Sequence, residues 1–153
     1  MSKKRVDVVS LQMVKEKSVL YESRTIRNSF DVFVLLRDFL ENSDREKMML
    51  VCLNTKNEPI NISTVSIGTL KSSLVSPREV FKTAILSNSN KIILAHNHPS
   101  GNPKPSQDDL NVTSRIVQAG HILDIELLDH IVVGDGTYCS IREIAHEVFK
   151  QKY

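Results

Sequence analysis

The chain has 153 residues, of which 41% are hydrophobic and 25% charged, a balance that supports a globular core rather than a disordered or fibrous chain. Its 20 basic and 18 acidic residues leave a net charge of +2, and aromatics are only 5%, so a basic, aromatic-lined nucleic-acid surface is not expected. No apolar run approaches the ~20 residues of a membrane span, no signal-peptide pattern opens the chain, and Cys52 and Cys139 make neither a CxxC pair nor a disulfide framework; a reducing cytoplasm is expected, with no membrane partner.

Residues 1–27 read as an N-terminal edge segment, basic and frayed at first, then one or two edge strands within 6–9 and 14–21. Residues 28–153 read as the domain proper, within a single domain overall. Asn28 or Ser29 caps a first helix whose apolar face is Val32, Leu35, Leu36, Phe39 and Leu40, ended by Asn42, Ser43 and Asp44. The unbroken apolar run 48–53 is a central strand buried on both faces. After a turn at 54–57, the alternating run 60–67 pairs with it as a hairpin. Ser76, Pro77 and Glu79 open a second helix, with Pro77 at its first position and Ser76 and Glu79 as a capping box. Its core face is Val80, Phe81, Ala84 and Ile85. A strand over 91–95 follows, then a Pro-rich loop and a third helix from about Ser106 that stops at Gly120. Two more strands, 127–133 and 137–141, flank the tight turn at 134–136. Residues 143–150 form a last short helix. This βαββαβαββ order predicts a mixed sheet with helices packed against it.

The chemistry gathers after the 91–95 strand, in His96-Asn97-His98-Pro99. Residues two apart on a strand share a face, so both imidazoles point the same way and Asn97 points away. Pro99 ends the ladder. Asp109, at the start of the third helix, supplies a third donor. Two imidazoles and a carboxylate suit zinc and leave a fourth position for water. Read alone, an HxH pair is equally a pair of surface or hydrogen-bonded histidines, and Ser106 with Asp109 is equally a helix N-terminus.

The complete string, His-x-His-Pro, six residues, Ser106, two residues, Asp109, resembles the JAMM (MPN-type) metalloprotease motif. The surroundings at 77–80, 95–101 and 127–134 are similar to its RadC-like branch, over roughly the last two thirds of the chain. The resemblance implies a three-layer α/β sandwich of cytidine-deaminase-like type. It also implies zinc held by His96, His98 and Asp109, a glutamate general base upstream, and Ser106 as stabiliser of the oxyanion. Glu46, directly before the 48–53 strand, matches that glutamate. As one charge in Asp44-Arg45-Glu46-Lys47 it also reads as turn solvation. Glu79 is the other glutamate in a motif, and Ser63 and Thr64 stand where some relatives have one. Full-length RadC-like proteins carry a helix-hairpin-helix segment before this domain; none is seen here, so the short form is expected.

The implied activity is hydrolysis of a peptide or isopeptide bond by a metal-activated water. Rival readings are a DNA repair-associated protein, which the charge does not support, and a metal-stabilised interaction module without turnover. His130 reads either as a support for the metal ligands or as a hydrogen-bonded structural histidine. His121 and His146 read as solvent-facing.

Overall fold

The structure is a computed structural model that describes residues 1–68 and 75–150. Its elements are α1 (Ser29–Leu40), β1 (Lys47–Leu53), β2 (Pro59–Ile67), α2 (Pro77–Leu86), β3 (Lys91–Asn97), α3 (Gln107–Leu123), β4 (Glu126–Val133), β5 (Tyr138–Ser140) and α4 (Ile141–Ile144), followed by a 3₁₀ turn over His146–Lys150. The five strands form one mixed sheet in the order β2-β1-β3-β4-β5. β1 is antiparallel to both β2 and β3, β3 and β4 are parallel, and β5 returns antiparallel to β4.

Alternation along the central strands divides the core into two layers. Met48, Leu50 and Cys52 of β1, with Ile92 and Leu94 of β3, pack against Val80, Phe81 and Ala84 of α2 and Val112, Ile116 and Val117 of α3. Met49, Val51 and Leu53, with Ile93 and Ala95, pack under Val32, Leu35, Leu36 and Leu40 of α1. The result is the expected α/β sandwich of helix, sheet and helices. β1 and β3 are buried on both faces because each side is roofed by helix.

β4 breaks the alternation once. Ile92 pairs with Leu127 but Ile93 pairs with Asp129, so Leu128 is an extra residue in the ladder. The bulge reverses the parity downstream. Leu127 joins the α2–α3 layer before it, and Ile131 and Val133 join the α1 layer after it. His130 is thereby turned towards α3, where its ring meets Thr113.

Several local expectations need correction. No strand forms in residues 1–27. Val6, Val8, Val9, Leu11 and Val14 lie exposed, because apolar alternation makes a strand only where a ladder partner meets it. The chain first enters the core at Ile26, whose N–H donates to the Asn57 carbonyl at 2.9 Å. Ser76 caps α2, but through Arg78 N at 3.2 Å, and Glu79 turns to Lys82 Nζ at 3.0 Å instead of closing a box. Ile85 is half exposed rather than core. Gly120 does not stop α3: the helix runs to Leu123 and ends on Asp124 in the left-handed conformation, φ 55°. Glycine is needed at 120 for a different reason, since a Cβ there would lie 2.4 Å from the Ile125 carbonyl oxygen. The last helix is divided at Ala145 into α4 and the 3₁₀ turn. Among the described residues no helix is long and apolar enough to cross a membrane.

Candidate metal centre

The C-terminal end of β3, the start of α3 and the approach to β1 meet at one end of the sheet's central strands. His96 is fully buried at the second-to-last position of β3, and His98 follows just beyond the strand. The loop after Pro99 returns the chain so that Asp109, in the first turn of α3, faces both rings. His98 N–H donates to the Val133 carbonyl and Gly101 N–H to the His98 carbonyl, each at 2.9 Å, while Gly101 O accepts from Asp135 N, also at 2.9 Å. The loop is thereby laid against the β4–β5 turn. Gly134 permits this approach: a Cβ there would sit 2.3 Å from Gly101 O and 2.9 Å from Pro103 Cδ.

The two imidazole nitrogens and the Asp109 carboxylate form a small triangle, the carboxylate meeting each ring through a different oxygen. His96 Nε2 lies 3.1 Å from His98 Nε2 and 3.1 Å from Asp109 Oδ1, and His98 Nε2 lies 3.2 Å from Asp109 Oδ2. Ligands at zinc's usual bond lengths in a tetrahedron are separated by about 3.3 Å. The triangle therefore has the size that one such cation requires, and these three residues are the group that could hold a metal ion among those described. The donor chemistry agrees. His98 Nδ1 is 2.8 Å from the Asn102 carbonyl oxygen, and a carbonyl only accepts, so Nδ1 carries the hydrogen. A neutral His98 then aims a bare Nε2 lone pair at a carboxylate, an arrangement that needs a proton or a cation between them.

In the metal-free chain a proton serves. The hydrogen bond to Asp109 lifts the His98 pKa above its ordinary 6.5; burial opposes this, and the Asn102 carbonyl and the charges of Asp109 and Glu46 add to it. Burial pushes the Asp109 carboxyl upward, but the close approach of the His96 and His98 rings, with the hydrogen bond from the Ser106 N–H, outweighs it and holds the group well below the carboxylate range. His98 protonation thus stabilises the metal-free fold fully below pH 6.5, and that contribution is lost as pH rises through the raised value. Zinc uptake has the opposite sign, because it displaces this proton while Asp109 is already ionised. Below the raised value, zinc affinity is expected to weaken roughly tenfold per pH unit. Competition titrations between about pH 6 and about pH 8.5 check this; an affinity flat over that range contradicts it.

Ser106 occupies the N-cap of α3. Its Oγ accepts from Asp109 N at 3.1 Å, and its own N–H donates to Asp109 Oδ2 at 2.7 Å, closing a capping box. The box fixes the carboxylate that faces the histidines. It uses a lone pair of the Ser106 oxygen and leaves the O–H as a donor.

Glu46 immediately precedes β1. Met48 pairs with His96 at the end of the antiparallel ladder, so Glu46, two residues before Met48, enters the sheet beside the end of β3. Its charge acts on the His98 ring, although its carboxylate is not among the three converging donors. Asn97, which the sequence left without a role, holds this approach. Its Oδ1 accepts from Lys47 N at 2.8 Å, and its Nδ2 donates to the Arg45 carbonyl at 2.9 Å. The Glu46 carbonyl accepts from Gly68 N at 2.7 Å. Glu79 is instead held by Lys82 on α2. Ser63 and Thr64 pair with Leu50 and Met49, inside the hairpin.

His130 is fully buried beneath His96, with Nε2 2.7 Å from His96 Nδ1. Burial, with the neighbouring His96, holds its pKa well below the ordinary value, so the ring is neutral. Thr113 lies on the buried face of α3, and its hydroxyl meets His130 Nδ1 at 2.7 Å. A hydroxyl at a core position was the one sign in the sequence that it had a polar partner there. His121 and His146 are exposed.

Comparison with known proteins agrees with this architecture. A UPF0758 protein of Moorella thermoacetica is 52% identical over 135 residues, covering 88% of this chain and 59% of that protein. Another, of Rubrobacter xylanophilus, is 53% identical over 118 residues, covering 77% and 52% respectively. One of Methanosarcina barkeri is 42% identical over 120 residues, covering 78% and 52%. The chain thus spans between half and three fifths of the length of these relatives. The model of the RadC-like JAB domain matches residues 26–147, from the point where Ile26 enters the core through β5 and α4. With four fifths of its length inside that match, the chain belongs to the RadC-like JAB domain family.

Proposed function

We infer that this domain is a zinc-dependent hydrolase that cleaves a peptide or isopeptide bond. The observation that carries the reading is the triangle of His96 Nε2, His98 Nε2 and an Asp109 carboxylate, with edges of 3.1–3.2 Å. Those three residues would hold the ion. A bound zinc supplies Lewis acidity, polarising a carbonyl and lowering the pKa of water to roughly 7. The chain's own groups supply the rest. Glu46, whose charge acts on His98, takes the proton of the attacking water on its carboxylate and returns it to the leaving amine. Ser106 donates its O–H to the oxygen on which charge develops, from a position fixed by the capping box. His98 is only partly buried and Ser106 is exposed, so an extended chain can reach the carbonyl position from solvent.

The test is removal and return of the metal. Purified protein should carry close to one zinc per chain by elemental analysis. Chelation should abolish cleavage of a peptide or isopeptide-linked library, and one equivalent of zinc should restore it. Cleavage that persists in metal-free protein sinks the hydrolase mechanism. Full zinc occupancy without cleavage of either bond type points to a metal-stabilised interaction module instead.

A further inference from the structure

Two buried polar side chains behind the donor triangle connect to each other and to both kinds of ligand. Thr113 Oγ lies 2.7 Å from the Asp109 carbonyl oxygen and 2.7 Å from His130 Nδ1. His130 Nε2 lies 2.7 Å from His96 Nδ1. His130 and Thr113 are each completely buried, so no solvent intervenes to blur the assignment of hydrogens.

The hydrogens can be placed one at a time. A carbonyl oxygen only accepts, so the single Thr113 hydroxyl hydrogen goes to Asp109 O. Towards His130 the hydroxyl can then only accept, and His130 Nδ1 must carry the hydrogen. A neutral imidazole has one N–H and one bare nitrogen, so His130 Nε2 is bare. It faces His96 Nδ1, which therefore donates. A neutral His96 with its hydrogen on Nδ1 has a bare Nε2, and that is the atom 3.1 Å from both His98 Nε2 and Asp109 Oδ1. An imidazole not held in this way exchanges between two tautomers, and the one with hydrogen on Nε2 cannot ligate through that atom.

We propose that Thr113 and His130 are positioning residues that set the tautomer of His96, in a relay running from the Asp109 backbone carbonyl to the His96 ring. The relay starts on the backbone of Asp109 and ends on the ring of His96, so the placement of α3 and the tautomer of His96 are coupled. His98 reaches the same tautomer separately, through the Asn102 carbonyl. The β4 bulge gives the arrangement its place in the fold, since without the extra residue at Leu128 the His130 ring would face α1. The consequence for zinc affinity rests on the metal reading above; the placement of hydrogens does not.

The test uses long-range ¹H–¹⁵N correlation of the histidine rings in labelled, metal-free protein, together with zinc titration. In the unaltered chain His96 should show a protonated Nδ1 and a bare Nε2. Thr113→Val keeps the shape of the side chain but removes the acceptor for His130. His96 should then populate the Nε2–H form, and zinc affinity should fall by about 10–100-fold, the usual cost of losing a partner behind a metal ligand. Thr113→Ser should restore both readings. An Nε2–H form of His96 in the unaltered chain overturns the proposal, as does a Thr113→Val protein with unchanged ring signals and unchanged affinity. If the unaltered chain binds no zinc, the metal reading fails, and the ring signals still decide the relay. Should Thr113→Val not fold, His130→Gln, whose Oε1 can accept from His96 Nδ1–H, should keep the His96 signature, and its loss there overturns the proposal.

Discussion

His96→Ala is expected to leave a folded protein that no longer holds zinc, with occupancy falling from close to one per chain to less than about a tenth. The loss should exceed the roughly 10–100-fold that removal of an outer partner costs, because a ligand itself is gone. Three donors with edges of 3.1–3.2 Å become two, and the His130 Nε2 beneath them loses its donor. Thermal unfolding provides a second reading. A ligand present at a thousand times its Kd stabilises the folded state by about 4 kcal/mol. For a chain of this size that corresponds to a Tm rise of roughly 8–16 °C. Zinc should raise the Tm of the unaltered protein by this order and leave His96→Ala unmoved. The variant should still fold, because neither hydrophobic layer contains any of the three donor residues. A His96→Ala protein that still binds one zinc per chain with the original affinity would place the ion elsewhere.

Glu46→Gln separates binding from turnover. Zinc content should be unchanged, since the Glu46 carboxylate is not one of the three converging donors. The rate of amide hydrolysis should fall about 10²–10⁴-fold, the contribution of a positioned general base. Glutamine is close to glutamate in shape, so the backbone anchors at Gly68 N, and at Lys47 N and Arg45 O through Asn97, are retained. What disappears is an oxygen able to take and return a proton. Steady-state kinetics and elemental analysis on the same preparation measure both halves. Unchanged turnover would remove Glu46 from the mechanism and make Glu79 the next glutamate to replace. Simultaneous loss of zinc and of rate would mean that Glu46 shapes the donor triangle rather than acting beside it.

The parts of the site that were legible are local in the chain. The His-x-His spacing places two rings on one strand face by the period of the strand. Ser106 and Asp109 are readable because a cap and its partner lie within a single helical turn, and the same three-residue spacing sets the capping box. The pairs that were misread were local as well. Ser76 and Glu79 have capping-box spacing, yet Glu79 pairs with Lys82. Gly120 has the identity of a helix stop, yet it serves a close approach to Ile125. In each the residue types allow two outcomes of similar energy, and the neighbours supplied by packing select one. The apolar alternation in residues 6–21 likewise described a strand that no ladder received.

The sequence by itself determined the two-faced burial of β1, the apolar helix faces, and the order of donors along the His96–Asp109 segment, because these follow from periodicities of a few residues. Only the tertiary structure decided the antiparallel pairing of β1 with β3 that brings the charge of Glu46 to bear on His98, the staple from Asn97 to the Arg45–Lys47 backbone, and the approach of Thr113 and His130 to His96. The physical reason is that these contacts join strands and helices far apart in the chain. A single extra residue in β4 reverses which face His130 occupies, and a ladder's register is chosen by the sum of its pairings and not by any one residue.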